Sequence, residues 1–212
     1  MTKLKPIKSI IYLATTGILL LPTFLMADEN RGDLEGVYLV KKGWVESQEI
    51  GTPLNPNPQA LEEIGQYKIY LERTGWDKMA SSERARIQKR LVVSGVFHGS
   101  FAGYSSNPSP FPLVQLNHVL GNEERTGAIY TQNDSLIPST ATAKVCDATQ
   151  SLLIISGQDQ VNPIQGIGVF SGLTGGKFVL NSTINQCTLQ NDFQFVPTNS
   201  FVCFGTNTVC PN

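Results

Sequence analysis

Ile164-Gln165-Gly166-Ile167-Gly168-Val169-Phe170-Ser171-Gly172-Leu173-Thr174-Gly175-Gly176, running on into Lys177-Phe178-Val179-Leu180-Asn181-Ser182-Thr183-Ile184, is the stretch that decides the fold. Its second half alternates, with Phe178, Leu180, Ser182 and Ile184 on one face, which is the period of a strand. Glycines before a strand make a bend in a sheet. Glycines that cradle a phosphate stand before a helix, and the Walker pattern adds a lysine followed by serine or threonine. Here Lys177 is followed by Phe178 and a strand, so phosphate binding is excluded on context.

Working outward, the same alternation recurs. Residues 34–40 read as a first strand with Trp44 shortly after, and the prolines at 53, 56 and 58 then interrupt any ladder, since proline lacks the amide donor. Residues 66–73 set Tyr67, Ile69 and Leu71 against polar neighbours. Residues 77–90 are the one helical stretch, with Asp77 as N-cap and a thin apolar face of Met79, Ala80, Ile87 and Leu91. Residues 91–104 follow as a strand whose two faces differ in kind. One carries Gly95, Phe97, Gly99, Phe101 and Gly103, glycines alternating with rings as a sharply curved strand requires. The other carries Ser94, Val96, His98, Ser100 and Tyr104. After the proline-rich 107–112, further strands are expected at 113–120, 126–131, 151–157, 176–184, 192–196 and 201–204. The Leu152–Ile155 run is apolar enough to be buried on both faces.

Many short strands with one helix predict an all-β fold, a barrel or sandwich. Curvature favours a single antiparallel barrel of about eight strands with one short surface helix. The expected organisation is a leader over 1–27, an N-terminal strand and proline-rich loop over 28–65, and the barrel over 66–212.

Gly166-Ile167-Gly168-Val169-Phe170-Ser171-Gly172, followed by Gly175-Gly176 and a strand, resembles the G-x-G-x-(F/Y)-x-G-x-x-G bend of allene oxide cyclase-like and dirigent-like barrels. The match covers about twenty residues directly, and 91–204 in order of elements. The resemblance implies a calycin-like antiparallel barrel with an apolar cavity at one end. Members of those families cyclise a fatty-acid epoxide or guide phenol coupling without a redox centre of their own. None of their catalytic residues aligns with a position here, so none is carried across.

The termini fix the compartment. Lys3, Lys5 and Lys8 precede a mostly apolar run from Ile10 to Leu21, and Ala27 is followed by Asp28 and Glu29, the layout of a cleavable secretory signal. The run is interrupted by Thr15, Thr16 and Gly17 and meets Pro22, short of the ~20 apolar residues of a comfortable span, so no permanent membrane span is expected. Losing the leader takes 16 basic residues to 13 against 17 acidic ones. That removes the electrostatic basis for nucleic-acid binding. Cys146, Cys187, Cys203 and Cys210 read as two disulfides in an oxidising compartment. Of the three possible pairings, the turn residues Gly205, Thr206 and Asn207 favour Cys203 with Cys210, leaving Cys146 with Cys187. Without a CxxC or a histidine near a cysteine, no metal site is expected, and nothing calls for a cofactor.

Candidate chemistry is sparse. If the face of the 91–104 strand that carries Ser94, His98, Ser100 and Tyr104 lines the interior, those four form a polar ligand patch. The simpler arrangement turns the phenylalanine face inward. His118, among Val114, Leu116 and Leu120, reads as a hydrogen-bonded core histidine. A Ser-His-Asp set could be drawn from Ser94 or Ser100, either histidine and Asp134 or Asp147, but no GxSxG elbow specifies it. No catalytic residue is assigned. The expected function is non-catalytic binding of a small apolar or amphipathic ligand, or of a surface partner. The alternatives are a cyclase or isomerase acting on a lipid-derived or phenolic substrate, and a structural extracellular module. A lumen several side chains wide containing His98, Tyr104 or an acid favours an enzyme or small-ligand binding, and one plugged by Phe97, Phe101 and Leu180 favours the structural module.

Overall fold

Alternating buried and exposed side chains trace a single antiparallel sheet in the computed structural model, which describes residues 33–50, 61–104 and 114–211. Its strands are β1 (Gly36–Ile50), β2 (Glu62–Arg73), β3 (Arg90–Tyr104), β4 (Val114–Asn122), β5 (Gly127–Thr131), β6 (Ser135–Leu136), β7 (Thr142–Asp147), β8 (Leu152–Val161), β9 (Pro163–Gly168), β10 (Leu173–Asn185), β11 (Gln190–Phe195) and β12 (Phe201–Phe204). The expected leader over 1–27, and the proline-rich stretches at 51–60 and 105–113, lie outside the described residues. Among the described residues no helix is long and apolar enough to cross a membrane.

The sheet closes on itself as a barrel. At one end the circuit runs β1-β2-β3-β4-β6-β8-β10-β11 and back to β1, with β4 and β6 joined by paired backbone hydrogen bonds between Leu116 and Asp134. At the other end it runs β1-β2-β3-β4-β5-β9-β10-β12, with β9 lying beside β10. Three positions of an eight-position barrel are thus each filled by two short strands in succession. This is the antiparallel barrel the glycine pattern predicts. Each kink between such a pair lets the wall follow the curvature that closure imposes.

Inward residues form one core. Tyr38 and Val40 of β1, Tyr67, Ile69 and Leu71 of β2, and Val93 and Phe97 of β3 meet Phe178 and Leu180 of β10 and Phe193 and Phe195 of β11. The expected period-two face of 66–73 is therefore the buried one. The 164–184 stretch holds β9, a tight turn and β10 in succession. Ser171 N donates to Gly168 O and Leu173 N to Phe170 O through the turn, and Gly168 takes a left-handed φ of 61°.

Two expectations are corrected. The helix is not 77–90. It is one 3-10 turn at Trp76–Lys78 and a six-residue α-helix, Ser81–Arg86. Asp77 lies inside that turn and the helix starts after Ala80, which has extended backbone. An apolar face too thin to bury cannot sustain three turns in water, and the chain spends Ile87 on a bridge to Asp33 instead. β1 (Gly36–Ile50) is itself a wall strand of the barrel, flanked by β2 on one side and by β11 and β12 on the other. The Leu152–Ile155 run is only half-buried on both faces, since this part of β8 pairs with the exposed added strand β7. The short strands β6, β7 and β9 carry no long alternation, and the sequence pattern does not predict them.

The cysteines pair as the spacing favours. Cys146–Cys187 (S–S 1.96 Å) fastens β7 to the turn between β10 and β11, and Cys203–Cys210 (2.10 Å) ties the C-terminal segment to β12.

Candidate functional site

Barrel curvature settles which face of β3 is inside. Gly95, Phe97 and Gly99 are buried while Val96, His98, Ser100 and Tyr104 are exposed. The condition for a patch of Ser94, His98, Ser100 and Tyr104, that their face lines the interior, is therefore not met, and the simpler arrangement with the phenylalanine face inward holds. His98 Nε2 lies 3.4 Å from Glu62 Oε2 in a solvent-exposed pair. Ser94 borders a separate cavity of about 680 Å³ together with Glu123 and Ser171. Nothing brings Ser94 or Ser100 to a histidine–aspartate pair, and Asp147 caps its own turn through the Thr149 and Gln150 amides.

Polar chemistry is concentrated inside. In the register of β2, β3 and β4, Glu63 stands opposite Gly99, which stands opposite His118. A side chain on the middle strand would separate the outer two. Gly99 has none, and a Cβ built there would fall 2.6 Å from the His118 ring. The ring therefore reaches across β3 and places Nε2 3.3 Å from Glu63 Oε2. On its other side Nδ1 lies 2.6 Å from Asp134 Oδ2. The carboxylates are held in turn. Glu63 Oε1 accepts from the Ser47 hydroxyl and from Asn191 Nδ2 at 3.1 Å. Asp134 accepts from the Thr131 hydroxyl and from the Asn162 amide at 2.8 Å.

Both histidine nitrogens face carboxylates, which suits a ring that donates twice, the imidazolium. Burial works against that charge, but the hydrogen bonds to Asp134 and Glu63 and their negative charge outweigh it and push His118 up to about 10. Burial alone would also raise Glu63. The hydrogen bond and charge of His118, with Ser47 and Asn191, hold it below the usual carboxylate range. At the end of β1, burial and the charge of Glu63 raise Glu49.

A cavity of about 40 Å³ adjoins this chain of groups. Its wall includes Glu63, His118 and Asp159, with Tyr67 and a set of phenylalanines, Phe97, Phe178, Phe193 and Phe195. Asp159 lies on β8 opposite Leu136 of β6 and Leu180 of β10, both buried. The residue keeps some accessible surface, as a wall residue does, yet its Oδ1 is covered and has no hydrogen-bond partner among the described residues. Burial, then the charges of Asp134 and Glu63 against the countering charge of His118, push this carboxyl up to about 7. A buried acceptor without a partner costs about 1–3 kcal/mol.

The arrangement can hold a fixed positive ring between two fixed negative groups, and beside them a carboxyl that changes charge near neutrality. Both nitrogens of His118 are committed, and among the described residues no group of three or more His, Cys, Asp or Glu side chains is arranged to hold a metal ion. The sequence signal that finds these acids is parity. Glu63 shares a strand face with Tyr67, Ile69 and Leu71, Asp159 with Val161, and Asn191 with Phe193 and Phe195. A polar residue in step with an apolar face points into the lumen.

Compared with protein families, with curated proteins and with solved structures, the chain matches none.

Proposed function

We propose that the protein is an exported barrel of the allene oxide cyclase-like kind that binds a small amphipathic molecule, its polar head received at Asp159 and its apolar part held by the lumen phenylalanines. The observation that carries this is the unpartnered Oδ1 of Asp159 beside a cavity with a mostly apolar wall. An apolar cavity with few polar groups converging on it is the usual form of a ligand site, and a strongly perturbed carboxyl there is a further mark of one. A purely structural core gains nothing from such a group, since apolar side chains of similar volume fill the space at no cost or with gain. The two disulfides fit an oxidising compartment.

The cavity admits the head of a ligand and not its whole body. A water molecule's share of liquid is ~30 Å³, so about 40 Å³ holds a group of one or two heavy atoms. The body of a larger ligand lies toward a barrel end or displaces a phenylalanine. A second reading, a cyclase or isomerase, draws on one specific feature, a carboxyl titrating near 7, which suits a general acid or base.

Native mass spectrometry of the exported protein purified from its own source tests the binding reading. The expected result is a co-purifying small molecule that is lost from Asp159→Ala while the fold, followed by far-UV circular dichroism, is kept. A barrel that is empty in every preparation overturns it.

A further inference from the structure

Charge and wall chemistry narrow the ligand that the binding reading calls for, and the identity of its head group rests on that reading. Four acids sit in or beside the lumen: Glu49, Glu63, Asp134 and Asp159. Against them stands one base, His118, and among the described residues no lysine or arginine lines the cavity. His118 is the one base among these carboxyls, so acids outnumber bases in the interior. A carboxylate or phosphate head placed there meets like charge at short range with little water to screen it. A cation meets the reverse. The remaining wall is aromatic, Tyr67 and the phenylalanines at 97, 178, 193 and 195, and ring faces attract cations, more strongly where water is excluded.

We infer that the lumen receives the ammonium head of a small organic amine, which pairs with Asp159 and sends that carboxyl's proton to solvent. One N–H of the ammonium supplies the donor that Oδ1 lacks. Protons and charge balance: the amine enters charged and stays charged, and where Asp159 is still protonated its O–H breaks and that proton leaves for solvent, so about one proton leaves per amine at pH 6 and almost none at pH 8. The groups facing Asp159 from the neighbouring elements are His118 on β4, Glu63 on β2 and Asp134 before β6. The first two stay charged across neutral pH, His118 because it titrates at about 10 and Glu63 because it is held low. Asp159 is therefore the group whose change of charge tracks binding between pH 6 and 8.

The test is a set of methyl-detected NMR titrations of the intact disulfide-bonded protein with methylammonium, methanol and formate. Probes of two or three heavy atoms bind at millimolar strength at best. Methylammonium is expected to shift the methyls of Val45, Leu120, Val161 and Leu180, which line the cavity. It should bind about tenfold more tightly at pH 8 than at pH 6, because the competent ionised state is about tenfold less populated at the lower pH. Formate should leave those methyls in place. Asp159→Asn should abolish the pH dependence and Asp159→Glu should retain one, while the wild-type pH dependence alone decides the matter if either variant fails to fold. Methanol binding as tightly as methylammonium, or methylammonium binding equally at both pH values, overturns the ammonium assignment and leaves lumen binding standing. If no probe reaches the lumen methyls at either pH, and the purified barrel is empty, both fall.

Discussion

His118 and Asp159 lie in one lumen and answer to the same neighbours in opposite ways. The ring has two carboxylates within hydrogen-bond reach and keeps its proton. Burial first, and then the negative charge near it, push the Asp159 carboxyl up to about 7, and its Oδ1 has no partner. For Asp159 the folded value lies above the unfolded one, about 3.9. Its contribution is therefore fully present below pH 4 and is lost as pH rises through 7. Asp159→Asn should remove that decline, leaving the variant less sensitive to alkali between pH 5 and 8 by about 1–4 kcal/mol, as read by urea unfolding at a series of pH values. An unchanged slope would show that the carboxyl is solvated. Glu63 has the opposite sign: held low, it stabilises above its unfolded value and that contribution disappears as pH falls through its folded one. His118→Ala leaves Glu63 and Asp134 buried without their shared cation, a loss of about 3–5 kcal/mol, which thermal unfolding at pH 7 should report. A shift smaller than about 1 kcal/mol would mean that the three groups are not coupled.

At the scale of elements, glycine does two different jobs. Gly168 closes the turn between β9 and β10 with φ 61°, and a Cβ there would stand 1.8 Å from Thr126 O, a backbone atom with nowhere to go. Gly99 makes room on β3 for the His118 ring to meet Glu63. Gly168→Ala should therefore lose about 1–3 kcal/mol through strain and crowding, and His118 should still titrate as in the parent. Gly99→Ala should disturb the ring itself, and its imidazolium resonances should titrate at lower pH. The sequence makes the first role legible, because a bend motif before an alternating strand has few other readings. The second role is hidden in it. The Gly95, Gly99 and Gly103 row reads as curvature, and only the register of three strands shows that one member is a gap for a histidine from the next. The half-exposed Leu152–Ile155 run misleads for a related reason, since composition does not reveal that β8's neighbour there is an added strand outside the barrel wall.

The whole molecule is a closed wall with a filled interior and an outer staple. Cys146–Cys187 spans 41 residues, and removing it by the paired change to serine should lower stability by about 2–4 kcal/mol while the lumen groups titrate as before. A change in the Asp159 midpoint in that variant would place the staple in the same cooperative unit as the cavity. Closure itself is readable from alternation and curvature. The contents of the lumen are not, because Glu63 and Asp159 come from distant strands and become neighbours of His118 only once the circuit is complete. Their parity with apolar residues is the available signal, and His98, on the opposite face of β3, is the more conspicuous residue in the sequence.

Everything proposed for the lumen depends on a carboxyl whose Oδ1 is covered and without a hydrogen-bond partner, set in a mostly apolar wall. Carbon-detected NMR of the aspartate side-chain carboxyls across pH 3 to 9, with Asp159→Asn to assign the resonance, measures this directly. Asp159 is expected to titrate close to pH 7 in the empty barrel and at lower pH when methylammonium is bound. A midpoint near 4 that does not move with any occupant would contradict it.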